Sequence, residues 1–195
     1  MDLKNKKVCC TGNSKGIGKG ITDFLRKEGC IVPDISRSVG YDLTKESGLE
    51  NLFKRYNHFD IVINNLGGGG RWGNNILEFD EWDEVYQKNA GIAVKITMNY
   101  LPKMILNKEG RVITIASIYG SRPGGYPWFS MAKASEIAFM RSMANRYEGV
   151  TFNSISPGQV NIREGDNYKI EPIHIAQQVY LLCLNGRDGQ DIIIE

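Results

Sequence analysis

Short apolar runs alternate along this chain with longer stretches of helical periodicity. Residues 7–11, 30–35, 60–64, 111–115, 151–155 and 191–194 are runs of strand length, several of them β-branched. Between them, residues 16–28, 49–56, 82–106, 128–147 and 172–184 carry apolar positions at helical spacing, such as Ile17, Ile21, Phe24 and Leu25 in the first. Gly29 closes that helix where a left-handed residue is wanted, and Pro172 opens the last one, with Asn185-Gly186 after its end. The strands are apolar almost throughout, the mark of strands covered on both faces of a parallel sheet. Strand–helix alternation over the whole length predicts a doubly wound α/β fold in one domain, residues 1–195. The one long, weakly patterned stretch, residues 157–171, reads as a binding loop or lid.

Composition narrows the function classes. The chain is 42% hydrophobic and 24% charged, close to a soluble globular average. Its charge of +2, from 24 basic and 22 acidic residues, gives no electrostatic footprint for nucleic acid. The one basic cluster, Lys4, Lys6 and Lys7, reads as the solvated lead-in to a strand. Cys9, Cys10, Cys30 and Cys183 form no CxxC pair and have no histidine at ligand spacing, so no metal site is expected. Buried, reduced thiols of a cytoplasmic protein fit better. Val8, Cys9 and Cys10 are too short an apolar run for a signal peptide, and no run of about 20 apolar residues would cross a membrane. His58 and His174 lie in no motif and there is no G-x-S-x-G elbow, which disfavours a Ser–His–Asp hydrolase.

Candidate chemistry begins at the turn Thr11-Gly12-Asn13-Ser14-Lys15-Gly16-Ile17-Gly18, between the first strand and the first helix. Gly12 permits a tight turn, Gly16 lets backbone approach a pyrophosphate, and Gly18 lets helix and strand pack. The helix N-terminus adds free N–H groups and a partial positive charge. This TGxxxGIG pattern resembles the short-chain dehydrogenase/reductase family. Further matches follow in the family's order: Asn64-Asn65-Leu66-Gly67 is similar to its NNAG motif, and Asn89, Ser117 and Lys133 match three members of its catalytic tetrad. Asn153-Ser-Ile-Ser-Pro157-Gly158 resembles its asparagine and Pro-Gly motif. The resemblance covers about residues 5–195. It implies a Rossmann-like, doubly wound three-layer sandwich with a mostly parallel sheet of about seven strands, ordered 3-2-1-4-5-6-7, the third stunted.

The resemblance also implies a bound nicotinamide dinucleotide. Its contacts would come from Gly12, Ser14, Lys15, Gly16, Ile17 and Gly18, then Ser36, Arg37 and Ser38, with Asp42 and Leu43 at the adenine. Asn65, Leu66, Gly67, Lys133, Pro157, Gly158 and Val160 complete the set. A carboxylate at the end of the second strand accepts the ribose 2′-hydroxyl and repels a 2′-phosphate. Ser36 stands there, followed by Arg37, and Lys15 precedes Gly16, so NADP(H) is expected over NAD(H). A two-residue shift of the alignment would instead make Asp34 the selecting acid.

In this family a tyrosine handles the proton and a lysine four residues on lowers its pKa and holds the nicotinamide ribose, while a serine bonds the substrate oxygen and an asparagine supports a water chain. Four residues back from Lys133, and twelve on from Ser117, the chain has Phe129. Phenylalanine cannot donate a proton, and general acid–base catalysis supplies about 10²- to 10⁴-fold in rate. Three explanations stay open: another group, such as Tyr126 or Tyr119, donates; the chain binds NADP with little turnover, in a binding or regulatory role; or water held by Ser117 and Lys133 suffices. The expected function is an NADP(H)-dependent oxidoreductase acting on the carbonyl or alcohol group of a small molecule, with Phe129→Tyr raising its rate.

Two stretches bear on substrate. Residues 37–42 and 158–172 are short for the family, which hints at an open pocket and a bulky or carrier-linked substrate. In Gly67-Gly68-Gly69-Gly70-Arg71-Trp72, Arg71 could pair with phosphate or carboxylate and Trp72 could stack, unless this is a plain surface loop. The family's habit of associating through the helices carrying Asn89 and Lys133 implies a homodimer or homotetramer.

Overall fold

The computed structural model describes residues 1–68, 80–122 and 124–195. Five strands, β1 (Val8–Cys10), β2 (Ile61–Asn64), β3 (Gly110–Ile115), β4 (Val150–Pro157) and β5 (Asp191–Ile194), pair in parallel and in chain order. Every residue of the first four is buried, and alternate side chains feed two separate cores. Val8, Cys10, Ile61, Ile63, Ile113, Ile115 and Ile155 pack beneath α1 (Gly16–Lys27) and α6 (Pro172–Asn185). Cys9, Val62, Val112 and Phe152 pack on the opposite face, beneath α2 (Glu46–Arg55), α4 (Ile92–Asn107) and α5 (Pro127–Met143). Helices on both faces bury every position of these four strands, polar ones such as Thr114, Asn153 and Ser154 included, and each fully buried aliphatic chain contributes about 1.5–3 kcal/mol.

The architecture is the expected Rossmann-like three-layer sandwich, but among the described residues the sheet has five strands rather than seven. The run at 30–35 lies beside β1 without becoming a strand. Ile31 bridges Lys7, and Gly12 N–H donates to Ile35 O at 3.2 Å. Between them stands Pro33, which has no N–H for the ladder. Its carbonyl accepts instead from Asn13 Nδ2 at 2.9 Å, and Asn13 Oδ1 accepts from Ile35 N–H at 2.8 Å. The stunted strand expected next does not form among the described residues: after Ser36 the chain makes a 3-10 turn, Arg37–Val39, and Gly40, at φ +92°, reverses it toward α2.

The helical pattern of residues 82–106 is divided as well. It comprises α3 (Asp80–Tyr86), a π-helical turn (Gln87–Gly91) and α4. Asn89 Nδ2 donates to Val85 O at 2.8 Å, the acceptor an α-helical N–H at residue 89 would use. The wider turn carries Asn89 to full burial. No helix among the described residues is long and apolar enough to cross a membrane. The four cysteines are buried and unpaired, and burial pushes the Cys10 and Cys183 thiols up to about 12.

Candidate active site

The turn between β1 and α1 fits a dinucleotide pyrophosphate. Gly12 and Gly16 have φ of +67° and +57°, where side chains are strained. A Cβ on Gly18 would come within 2.5 Å of Asn65 Nδ2 and 2.6 Å of Gly12 O, so only glycine fits. Lys15, the residue before α1, makes no side-chain cap bond, which leaves the first-turn N–H groups to an anion. Ser14 and Lys15 are exposed, and Ile17 is partly buried against the core. Thr11 latches this turn to the segment after β2: its Oγ1 accepts from Asn65 N–H at 3.0 Å and Leu66 N–H at 2.8 Å.

Beyond the broken second strand, Ser36 is buried and its Oγ lies 2.8 Å from Ser38 Oγ, while Arg37 is exposed beside them. Asp34 faces elsewhere, for its Oδ1 accepts from Arg26 Nη2 at 2.8 Å in the last turn of α1. Asp42 Oδ1 accepts from Thr44 Oγ1 at 2.6 Å, and that bond foremost holds the Asp42 carboxyl below its usual range. The Leu43 side chain belongs to the core.

A second group of residues meets at the carboxyl ends of β2 and β3. Lys133 and Asn89 are buried and converge on Gly67, where a Cβ would lie 3.2 Å from Lys133 Nζ and closer still to Asn89 Oδ1. Asn89 Oδ1 accepts from Gly68 N–H at 3.1 Å and its Nδ2 donates to Gly68 O at 3.0 Å, fixing the backbone that leaves β2. Ser117 is buried just past β3 and caps a 3-10 turn, Ile118–Gly120, its Oγ accepting from Tyr119 N–H at 3.3 Å. A Cβ on Gly120 would lie 2.8 Å from both Ile137 Cδ1 and the Lys133 carbonyl carbon, so this turn is pressed against α5.

Phe129 lies on α5 one turn before Lys133, with its ring centre 5.6 Å from Nζ. Lys133 Nζ donates to Ile115 O at 2.9 Å and to Glu136 Oε2 at 3.0 Å and Oε1 at 3.3 Å. Glu136 is an unanticipated member of the site. Burial pushes its carboxyl above the usual range, and the Lys133 ammonium offsets that only in part. Of the two alternative phenols, Tyr126 is buried and donates to Glu81 Oε2 at 2.8 Å, tying α5 to α3. Tyr119 is half-buried, its ring against Gly124 and Gly125.

Pro157, the last residue of β4, is buried, and Gly158 N–H donates to Ile194 O at 2.9 Å. Val160 bridges Ile170, closing the loop at its base. Asn161 Nδ2 donates to Tyr168 O at 2.7 Å, and Ile162 passes 3.6 Å from a Cβ placed on Gly16. Asn153 stands apart from this site. It clamps the turn before β5, with Nδ2 donating to Arg187 O at 2.8 Å and Oδ1 accepting from Gln190 N–H at 2.9 Å. Arg71 and Trp72 lie outside the described residues.

Comparison with known proteins places this arrangement. The family model of the short chain dehydrogenases matches residues 36–169. An uncharacterized oxidoreductase of Bacillus subtilis, YvaG, is 31% identical over 183 residues, 81% of this chain and 69% of the relative. The 3-oxoacyl-[acyl-carrier-protein] reductase FabG of Vibrio cholerae is 27% identical, over 81% of this chain and 75% of its own. A Brucella melitensis 3-oxoacyl-[acyl-carrier protein] reductase solved with bound NAD superposes with a TM-score of 0.85 at 18% identity, over 99% of this chain and 90% of that one. The chain belongs to the short-chain dehydrogenase family, and its type of activity is oxidoreduction.

Proposed function

We propose that this protein is an NADP(H)-dependent oxidoreductase that interconverts a carbonyl and an alcohol on a small metabolite. The observation that carries this reading is the convergence of Lys133 Nζ and Asn89 Oδ1 on Gly67, beside the turn that Ser117 caps. When bound, the nicotinamide supplies or takes up a hydride. Gly12, Gly16 and Gly18, with the first turn of α1, cradle the pyrophosphate. Lys133 holds the nicotinamide ribose, and Ser117 Oγ donates a hydrogen bond to the substrate oxygen. Asn89 keeps Gly68 and the π-helical turn in register. Phe129 forms a wall and has no proton to give, and the Tyr126 phenol is engaged by Glu81. The Tyr119 ring packs against Gly124 and Gly125, so this reading assigns the proton on the substrate oxygen to water held between Ser117 and Lys133, which bulk solvent reprotonates.

The NADP preference is supported by Asp34, whose carboxylate is taken up by Arg26, and by Ser36, Ser38 and exposed Arg37 at the next positions. The reading covers residues 1–195 as one domain working as a homo-oligomer in the cytoplasm, which the unpaired cysteines suit. Relatives named as reductases of acyl groups on a carrier protein favour a bulky or carrier-linked carbonyl substrate.

Fluorescence titration with NADPH and NADH, followed by NADPH consumption on a panel of ketones and 3-oxoacyl thioesters, tests the proposal. Tighter NADPH binding and slow turnover are expected. Equal or reversed affinities would remove the NADP assignment, and binding without turnover on any substrate would remove the oxidoreductase.

A further inference from the structure

The proposed chemistry leaves one buried charge at the site without a task. Glu136 lies on α5 three residues after Lys133, and the two side chains are 2% and 5% exposed. Both of its oxygens lie within 3.3 Å of Lys133 Nζ, and the Ile115 carbonyl takes a further proton of the ammonium at 2.9 Å. An ion pair at this depth is little screened by solvent or salt. Among the described residues, neighbouring elements add one further cation, Lys88, whose Nζ lies 3.6 Å from a Cβ placed on Gly68, while Glu81 is bound by Tyr126 and Tyr86 and Tyr119 add only phenols. Tyr86 lines, with Glu136, a cavity of about 110 Å³ between α4 and α5. A group at position 129 thus faces a cation and an anion held together.

We propose that Glu136 is a positioning residue that neutralises Lys133 and turns its ammonium toward the Ile115 carbonyl, so that the lysine serves as a hydrogen-bond donor and brings no net positive charge to position 129. Phe129 and Glu136 are then matched to each other, an uncharged ring beside a neutralised lysine. The inference rests on reading Lys133 as the lysine of the proposed site. It also limits what Phe129→Tyr alone can restore, because a tyrosine there gains little from a cation that is already paired.

The test is ultraviolet titration of the added phenol, taken as the difference spectrum between each tyrosine variant and its own Phe129 parent. In Phe129→Tyr the phenol is expected to titrate no lower than the ordinary tyrosine value of about 10. In Phe129→Tyr/Glu136→Gln it should fall by about one unit or more, as a phenol beside an unpaired cation does. Phe129→Tyr/Glu136→Asp keeps the negative charge, so its phenol should stay high; a fall matching the Gln variant would assign the effect to packing and overturn the proposal. A phenol already lowered by a unit or more in Phe129→Tyr would overturn it too, and that reading needs no Glu136 variant to fold. The titration requires neither cofactor nor turnover. Failure of the wild-type protein to bind NADPH would therefore count against the proposed function while leaving the role of Glu136 separately decided.

Discussion

Arg37 and Tyr126 carry opposite expectations, although each is a polar side chain beside the proposed site. Arg37 is exposed next to the Ser36–Ser38 pair and free to meet a 2′-phosphate. Arg37→Ala should weaken NADPH by about 10- to 100-fold, the worth of a charge-assisted hydrogen bond, and leave NADH nearly unchanged. Calorimetric titration of both nucleotides checks this. Tyr126 is committed to Glu81. Tyr126→Phe should cost about 1–2 kcal/mol in denaturant unfolding and leave NADPH turnover where it was, whereas a collapse in rate with unchanged stability would make Tyr126 the proton donor. Phe129 and Lys133 were legible by counting along the sequence. Glu136 was not, because an acid among helical residues reads as a solvated face until packing shows which way it points. The available hint was its i+3 spacing from Lys133, amid Ala132, Ile137 and Met140.

Elements were legible where one period ran unbroken and lost where a single residue interrupted it. The run at 30–35 has strand composition, but Pro33 removes the donor its ladder needs. The pattern of residues 82–106 is helical throughout, and periodicity alone does not register one wider turn; the Asn89–Val85 bond does. The glycine turn was legible in outline, since its three glycines were assigned from the motif. Its latch was hidden, because Thr11 and Asn65 are 54 positions apart in the chain. That latch sets an expectation for Gly18. A Cβ there meets Gly12 backbone as well as the Asn65 amide, and backbone cannot swing aside. Gly18→Ala should therefore cost about 1–3 kcal/mol by denaturant unfolding, the usual range for overpacking, and reduce NADPH affinity with it. Unchanged stability and affinity would show that turn and helix separate more freely than this packing allows.

At the scale of the whole molecule the family was legible because its motifs recur in order along the chain, which is stronger information than any one of them. The partner surface is less so, since sequence shows apolar residues without showing which remain in water. On α4, Met98 is 49% and Leu106 81% exposed, and Met131 on α5 is 38% exposed. Both helices have already buried one face against the sheet: Ile96, Tyr100 and Met104 of α4 and Met140 of α5 lie in the core. Large apolar side chains left over on neighbouring helices are what a second copy would cover. Light scattering at micromolar concentration should therefore give the mass of a dimer or tetramer. Met98→Lys with Leu106→Lys should shift that mass toward the monomer while NADPH affinity holds, since neither residue touches the glycine turn or the Lys133 corner. A wild-type monomer, or an assembly indifferent to both lysines, would move the interface away from α4.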